Sequence, residues 1–356
     1  ASVLFFLVLL PKERARYGGL RWAKWLNLGL SAAWCVYIGL FFFSDMLPSL
    51  GVYAQQWKTK GNGFLLNFTV SARYMRVEKP DGYTQEKAEE LIQSLEDQGL
   101  TSDSLEEADT VTNFIVIMDE SFADLTQFEN LTLTGDPTPF YHALTENTIK
   151  GSMYSPVTGG GTAAVEFEVL TGNTMAFLPS GTVAYQLYLT ENTPSLAQLA
   201  SALDICSSAY HPYLSSGWNR TTAYRHPGFD SQYYQDLVVD GEDITTEYSS
   251  DDLVRGYVSD SADFSRIYEL TDAAKENGQD CFVFNVTMQN HSGYNKEWTN
   301  LNRSVSLDGE YTGNGYDSTT SQYLALASAT DSALEELIEH YSQVEESTVI
   351  LFFGDH

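Results

Sequence analysis

The chain has 356 residues, of which 43% are hydrophobic, and it carries a formal net charge of −29. That length and apolar content allow a sizeable core in one large domain or two ordinary ones. The acidic balance argues against a nucleic-acid-binding protein, because phosphate contacts need Lys and Arg. No Walker-type loop or G-x-G-x-x-G fingerprint occurs, so no nucleotide partner is expected.

Charge and hydropathy set the first residues apart from the rest. Residues 1–60 carry seven Lys or Arg against two Asp or Glu, whereas the remainder carries 12 against 46. Residues 26–43 form an uncharged run of 18 positions, close to the ~20 residues of a membrane-spanning helix. A basic stretch at 11–25 separates this run from the apolar residues 1–10, as expected of a cytoplasmic loop.

We therefore predict the end of one transmembrane helix at 1–10, a cytoplasmic loop at 11–25 and a transmembrane helix at 26–43. The protein would lie in the cell membrane as a multi-pass protein, with all later residues outside the cell. A buried helical hairpin is the alternative for this region. Because the chain begins inside an apolar run and ends directly after a strand-like run, we also expect a fragment that lacks a C-terminal part.

An extracellular connector is expected at 44–109, ahead of a main domain at 110–356. Within the connector, apolar residues recur at helical spacing over 84–99, and Gly99 provides a stop signal. In the main domain, Cys206 and Cys281 could pair in an oxidising compartment, but we expect two free thiols.

Strands and helices alternate in the main domain. Continuous apolar runs at 112–118, 280–288 and 347–353 are typical of strands buried on both faces. Helical patterns at 195–203 and 322–341 lie between them. This order predicts an α/β fold with a largely parallel central sheet flanked by helices.

Polar residues follow each predicted strand: Glu120 after the first, His291 after the second, and Asp355 and His356 after the third. In open α/β sheets, ligands bind beyond the carboxyl ends of the strands. Two carboxylates and an imidazole form a mixed ligand set for a divalent metal, with Mn²⁺ expected and Zn²⁺ or Mg²⁺ as alternatives. Taken singly, each residue would be explained as a helix cap or as a hydrogen-bonded side chain.

The glycines at 159–161 directly precede Thr162, and a helix-like segment begins at Ala163. Glycines allow a ligand to approach the backbone closely, and a helix N-terminus favours an anionic phosphoryl group. A bound cation lowers the pKa of a coordinated oxygen, so Thr162 is a candidate fourth ligand and nucleophile. The alternative is a glycine hinge in which Thr162 only caps the helix.

Five segments occur in a fixed order: NFIVIMDESFADL, GGGTAAVEFEVLTGNTMAFLPSGTVAY, HPYLSSGWNRTTAYRHPGFD, TMQNHSGY and FFGDH. Together they resemble the lipoteichoic acid synthase family, and the resemblance extends over nearly the whole chain. It implies an alkaline-phosphatase/sulfatase-like fold for the extracellular catalytic domain. It also implies transfer of glycerophosphate from the membrane phospholipid phosphatidylglycerol, through a covalent threonine intermediate, to a lipoteichoic-acid-type or glycolipid acceptor.

The resemblance implies a role for each matching position of the presumed centre. Glu120, Thr162, Asp355 and His356 match metal ligands, and Thr162 also matches the nucleophile. His291 matches a contact to the substrate phosphate and a proton donor.

Three further residues, His211, Trp218 and Arg220, match the lining of a glycerophosphate pocket, with Arg220 as a phosphate clamp. Two positions depart from the family: Gly161 stands where a lysine is usual, and Tyr213 stands where an acid is usual. Both departures concern the head group or the acceptor, and they leave the type of reaction unchanged.

Several alternatives stay open. A phosphoethanolamine transferase or a phosphodiesterase would use the same fold and the same metal. A non-catalytic membrane protein that binds teichoic acid or lipid would keep the site for recognition, and a structural membrane protein would use the domain as a sensor. A true sulfatase is disfavoured, because its C/S-x-P-x-R context is absent around Thr162.

Overall fold

A computed structural model of the chain describes residues 21–43, 81–97, 111–129, 131–178, 182–241, 248–296, 298, 300–308 and 317–356. The chain divides into two units, Ala1–Tyr83 with Phe177–Thr182 and Thr84–Ala176 with Val183–His356. The predicted helix end at 1–10, the first part of the predicted loop at 11–25, and most of the predicted connector lie outside the described residues.

The first unit contains helix α1, Arg21–Phe43. This helix covers the predicted span at 26–43, but it begins at Arg21, so the last residues of the predicted loop are helical. None of the helices in the described part of the chain combines the length and apolar character needed to cross a membrane. The predicted transmembrane helix is therefore not confirmed.

The second unit contains eight further helices and eight strands among the described residues. The helices are α2 Gln85–Asp97, α3 Pro139–Ala143, α4 Thr162–Thr171, α5 Ala184–Leu187, α6 Leu196–Ala202, α7 Arg220–Ala223, α8 Asp260–Glu276 and α9 Asp317–Ser342. The strands are β1 Asn113–Asp119, β2 Cys206–His211, β3 Ser231–Tyr234, β4 Val238–Val239, β5 Leu253–Val254, β6 Tyr257–Val258, β7 Cys281–Val286 and β8 Thr348–Gly354.

Six strands form the central sheet in the order β4-β3-β2-β7-β1-β8. All neighbours are parallel except β3 and β4, and β5 pairs only with β6 in a separate hairpin. The C-terminal ends of β1, β2, β7 and β8 therefore meet at one edge of the sheet. The predicted α/β fold with a largely parallel sheet is confirmed.

Helices cover both faces of this sheet. On one face, Ile117 and Val283 belong to a buried cluster with Phe264 of α8 and Leu337 of α9. On the other face, aromatic rings form a chain of contacts from the sheet to α4. Phe284 packs on Tyr224, Tyr224 on Tyr185, and Tyr185 on Phe167 of α4, with centroid distances of 6.1, 6.2 and 6.5 Å. The helix that begins with Thr162 is thus anchored to the sheet.

The predicted strands at 112–118 and 280–288 are confirmed, and β7 is buried at every position. The expectation for 347–353 is wrong in one respect. Strand β8 lies at the edge of the sheet, and Val349 and Leu351 on it are 43% and 45% exposed. An apolar run in an edge strand has the same composition as one in a central strand, so composition did not separate the two cases.

Cys206 and Cys281 face each other in register on β2 and β7. Both are free thiols, as predicted.

Candidate active site

Two neighbouring strands bring three predicted metal ligands together. Asp119 at the end of β1 lies beside Gly354 at the end of β8, and Glu120 and Asp355 follow directly. Glu120, Asp355 and His356 each offer one ligand atom, and these atoms all lie within 4.8 Å of one another. The two carboxylates are buried, and His356 is half-buried. Residues 235 positions apart in the chain therefore share one small site because their strands are paired.

Ser121 connects these ligands, although the sequence analysis did not single it out. Its backbone N–H donates to Asp355 Oδ1 at 2.7 Å, and its Oγ lies 3.3 Å from both Glu120 Oε1 and His356 Nε2. Its φ of 57° is left-handed, which is uncommon for a residue other than glycine. The small polar residue after Glu120 was visible in the sequence, but its backbone conformation was not.

The electrostatics of the site fit a divalent cation. Burial, followed by repulsion from Asp355, raises the pKa of Glu120 to about 8. Burial also raises the pKa of Asp355, although His356 opposes the change. Asp355 Oδ2 is buried, and no other described residue makes a hydrogen bond of normal length to it. Two buried carboxylates that repel each other are stabilised by a cation, and the added imidazole suits Mn²⁺ or Zn²⁺.

Thr162 is the first residue of α4 and lies beside the same ligands. Its Oγ1 donates a long hydrogen bond to Glu120 Oε2 at 3.4 Å. The same hydroxyl is close enough to Asp355 to oppose, in part, the rise in the pKa of that carboxyl. Gly160 and Gly161 adopt φ of 65° and 84°, a region that glycine occupies without steric cost. Gly161 is the N-cap of the helix. The alternative in which Thr162 only caps the helix is therefore wrong. Its hydroxyl faces the predicted metal ligands instead.

Arg220 is buried and paired with an acid that the sequence analysis missed. Its Nη2 donates to Glu166 Oε1 at 2.7 Å, and its Nε lies 3.4 Å from Glu166 Oε2. The two side chains are 4% and 0% exposed. Burial disfavours the cation, but the attraction of Glu166 outweighs it and raises the pKa of Arg220. The predicted phosphate clamp thus has one edge of its guanidinium already occupied.

His211 lies against Arg220 with its protonation fixed by two partners. The carbonyl of Val286 can only accept, so His211 Nδ1 donates to it, at 2.8 Å. Nε2 is then free to accept from Arg220 Nη1 at 3.0 Å. Burial, with a further contribution from Arg220, holds the pKa of His211 well below its usual range. His211 is therefore a neutral acceptor near pH 7 and not a proton donor.

His291 is held beside the metal ligands by Arg255. Nη2 of the buried Arg255 donates to the backbone carbonyls of Gln289 at 3.0 Å and His291 at 2.6 Å. The His291 ring is close enough to Asp355 and His356 to interact with both electrostatically. Burial lowers the pKa of His291, so the ring is neutral at pH 7 and able to accept a proton.

A row of aromatic rings connects His211, which lies against Arg220, with His291, which lies beside the predicted metal ligands. His211 contacts Tyr213, Tyr213 contacts Tyr257, and Tyr257 contacts His291, with centroid distances of 6.3, 5.8 and 5.6 Å. Tyr213, the position that departs from the family, is thus the second ring of this row. The row connects His211 with His291, the two histidines that were predicted to bind substrate.

Trp218 occupies a short turn, Gly217–Asn219, immediately before Arg220. Trp218 and Asn219 both have left-handed φ, of 52° and 59°. In the portion of the chain that the structure describes, no ring contact or hydrogen bond joins the indole to the other predicted site residues. The turn fixes the start of α7 and therefore the position of Arg220.

Residues 112–356 match the family model described as Sulfatase. The chain belongs to the sulfatase family. This match includes every candidate site residue, and it agrees with the fold and with the position of the site beyond the strand ends. It also accounts for the resemblance seen in the sequence, because lipoteichoic acid synthases are among the relatives of this sulfatase-family domain.

Two relatives cover most of this chain. A Rhizobium meliloti (strain 1021) protein named for cyclic beta-1,2-glucan modification is 30% identical over 295 residues, which is 83% of this chain and 42% of that protein. Lipoteichoic acid synthase from Staphylococcus saprophyticus is 29% identical over 252 residues, 68% of this chain and 35% of that protein. The chain thus spans less than half the length of both relatives.

A solved structure shows the same fold. The phosphoglycerol transferase GacH of Streptococcus pyogenes, in complex with sn-glycerol-1-phosphate, superposes with a TM-score of 0.65 at 23% identity. The similarity covers 79% of this chain and 70% of that chain.

Proposed function

We propose that this sulfatase-family chain is a metal-dependent phosphoglycerol transferase. Its donor is phosphatidylglycerol, its nucleophile is Thr162, and its acceptor is a hydroxyl group of a teichoic acid, a glycolipid or a glucan. Glu120, Thr162, Asp355 and His356 would hold the metal, for which Mn²⁺ and Zn²⁺ are the candidates. The catalytic domain would lie on the outer side of the cell membrane, where donor and acceptor meet.

One observation supports this proposal above all others. The hydroxyl of Thr162 lies 3.4 Å from Glu120, and Glu120 lies within one ligand cluster with Asp355 and His356. A hydroxyl at a helix N-terminus beside a cation site is suited to attack an anionic phosphoryl group.

The reaction would proceed in two displacements at phosphorus. In the first, a bond forms between Thr162 Oγ and phosphorus, and the bond from phosphorus to the diacylglycerol oxygen breaks. His291 would carry the proton from Thr162 to that leaving oxygen, since burial lowers its pKa and keeps the ring neutral at pH 7, with a free nitrogen lone pair to accept that proton. In the second, the acceptor oxygen forms a bond to phosphorus while the bond from phosphorus to Thr162 Oγ breaks, and His291 carries the proton of the acceptor hydroxyl to Thr162 Oγ.

A bound divalent cation would lower the pKa of the Thr162 hydroxyl and offset charge on the phosphoryl oxygens. The remaining groups are supplied by the protein. Arg220 would bind the transferred phosphate, and the ring row from His211 to His291 would border the head group.

The relatives widen the choice of acceptor. A lipoteichoic acid synthase and a protein named for cyclic glucan modification are similar to this chain at nearly the same identity. A hydroxyl group on a polymer or a sugar is the kind of acceptor that would fit both names.

Intact mass of the metal-loaded full chain, incubated with phosphatidylglycerol, tests the proposal. The wild type should gain the mass of one glycerophosphoryl group, and Thr162→Ala should gain none. Thr171→Ala is the matched control, because Thr171 ends the same helix and its hydroxyl bonds the carbonyl of Phe167.

Other results of the intact-mass experiment would contradict the proposal or identify one of the alternative functions. An adduct that also appears on Thr162→Ala contradicts the nucleophile. An adduct formed only with phosphatidylethanolamine identifies a phosphoethanolamine transferase. Release of free glycerophosphate in the presence of acceptor identifies a phosphodiesterase, and no adduct from any donor lipid supports a binding protein.

A further inference from the structure

Helix α4 carries a buried acid that has no role in the reaction described above. Glu166 is four residues after Thr162 and completely buried, and residues at this spacing lie on one side of a helix. A buried carboxylate is costly unless it is paired and hydrogen-bonded. Its position among buried apolar residues of α4, Val165 and Phe167, calls for a physical reason.

The partners of Glu166 come from one short segment, α7 and its C-cap residue. Arg220, which begins α7, donates to both carboxylate oxygens, and the hydroxyl of Tyr224, one turn later, donates to Oε2 at 2.5 Å. Glu166 therefore accepts three hydrogen bonds from two side chains that are themselves buried. These bonds hold α7 in a fixed position against α4.

The pairing restricts how Arg220 can present its donors. A guanidinium has five N–H groups in one plane. Glu166 takes the Nε edge, and His211 takes one N–H of Nη1. In the described residues, the second N–H of each terminal nitrogen has no acceptor. The plane of the guanidinium is thus fixed from two sides, and two of its terminal N–H groups have no protein acceptor among the described residues.

The guanidinium of Arg220 lies next to the candidate active site. The guanidinium of Arg220 is close enough to Glu120 to attract that carboxylate electrostatically. His211, the other partner of Arg220, begins the ring row that ends at His291. The side chain that fixes Arg220 and the hydroxyl of Thr162 are carried by the same helix, so their separation is set by one rigid element.

We propose that Glu166 is a positioning residue, which aims the terminal N–H groups of Arg220 at the phosphate whose phosphorus Thr162 attacks. This inference rests on the proposed function for the identity of the ligand. Glu166 touches no substrate itself. Because Glu166 already holds Arg220 in place, less conformational entropy is lost when phosphate binds to that long cationic side chain.

Calorimetric titration of the metal-loaded full chain with glycerol phosphate tests the inference without turnover. Glu166→Gln keeps the shape of the side chain and removes its charge. We expect the Kd for glycerol phosphate to rise about tenfold, as for a misplaced binding group. Glu269→Gln is the matched control, because Glu269 pairs with Arg266 on the surface of α8 and should leave the Kd unchanged.

A double-mutant cycle separates positioning from a purely structural role. If Glu166 acts through Arg220, adding Glu166→Gln to Arg220→Gln should raise the Kd no further, whereas independent effects would multiply. Should Glu166→Gln fail to fold, Tyr224→Phe removes only one bond to Glu166, and we expect it to raise the Kd about threefold while the protein still folds.

The outcomes divide clearly. An unchanged Kd, an independent effect in the cycle, or tighter binding by Glu166→Gln would each overturn the inference. Tighter binding would mean that Glu166 only neutralises Arg220. No binding to the wild type would also overturn it. Glu166-dependent binding without a Thr162 adduct would instead retain the positioning role and reject the proposed transfer reaction.

Discussion

Gly354 shows how a single residue sets the metal site. A Cβ added at this position would lie 1.9 Å from the backbone carbonyl oxygen of Phe122, far inside van der Waals contact. The backbone after β1 thus approaches the end of β8 so closely that only glycine fits. This approach is what brings the amide of Ser121 to Asp355.

We therefore expect Gly354→Ala to be strongly destabilising. The obstacle is backbone and not the flexible end of a side chain, so relief requires a shift of one strand end. A loss of about 3 kcal/mol in the free energy of unfolding is expected for such overpacking, together with weaker metal binding. Chemical denaturation and metal titration would measure the two effects.

Gly151→Ala is the control for Gly354→Ala. A Cβ at Gly151 has no atom within 4 Å, so this variant should have wild-type stability and metal affinity. Wild-type values for Gly354→Ala as well would show that the two strand ends separate at little cost, and that their close approach does not define the site.

Residues of the site differ in how far the sequence revealed them. Glu120, Asp355 and His356 come two or three positions after apolar runs, so their place at the sheet edge could be predicted from strand order. Glu166 could not, because its partner Arg220 lies 54 positions away and no periodicity relates α4 to α7. An acid in a helix is ordinarily solvated, and only tertiary packing shows that this one is buried.

At the scale of elements, α3 and the segment before it are joined by a bridging histidine. His142 Nδ1 lies 2.8 Å from Asp136 Oδ2, and its Nε2 lies 3.0 Å from Asp124 Oδ2. With a carboxylate on each ring nitrogen, the imidazolium is favoured. Burial alone would lower the pKa of His142, but the bonds to Asp136 and Asp124 outweigh it and the pKa is raised.

This bridge predicts a pH dependence of stability. A raised pKa means that the folded state binds the proton more tightly than the unfolded chain. The bridge therefore contributes fully below the ordinary pKa of 6.5 and is lost as pH rises through the raised value. Thermal unfolding at a series of pH values, compared between wild type and His142→Gln, should show a difference that shrinks with rising pH.

Other charged groups near the His142 bridge do not reverse the direction of this pH dependence. Asp331, which accepts from the amides of Phe140 and Tyr141, adds negative charge and also favours the imidazolium. Lys150 donates to the carbonyls of Tyr141 and His142, not to either carboxylate of the bridge. His340→Gln serves as the control, since that ring stacks on Tyr268; a difference that grows with pH would contradict the bridge.

The elements that the sequence analysis missed share a physical cause. Strand β2 begins with Cys-Ser-Ser, which breaks any apolar run. Its serines are nevertheless buried, because Ser208 bonds Ser231 of β3 at 2.9 Å and Ser207 bonds Asp230 at 2.8 Å. From composition, burial of a serine hydroxyl looks unfavourable. The hydrogen-bond partner that offsets the cost lies elsewhere in the chain and is seen only in the fold.

At the scale of the whole molecule, metal binding and folding are linked. The ligands follow strands that begin at positions 113 and 348, and Thr162 comes from a helix between them. The unfolded chain cannot hold them within a few ångströms, so a metal that binds this site stabilises the folded state. At a free concentration of 100 times Kd, the expected gain is about 2.7 kcal/mol.

The net charge of −29 complicates any such measurement, because cations stabilise an acidic protein by screening its self-repulsion. Comparison with Asp355→Asn separates the two effects. Mn²⁺ should raise the unfolding temperature of the wild type and of Asp272→Asn, whose aspartate is exposed, but hardly that of Asp355→Asn. Without metal, Asp355→Asn should be no less stable than the wild type, since it removes the repulsion that raises the pKa of Glu120. An equal rise in all three proteins would mean that Mn²⁺ acts by screening, and that the cluster at the sheet edge does not bind it.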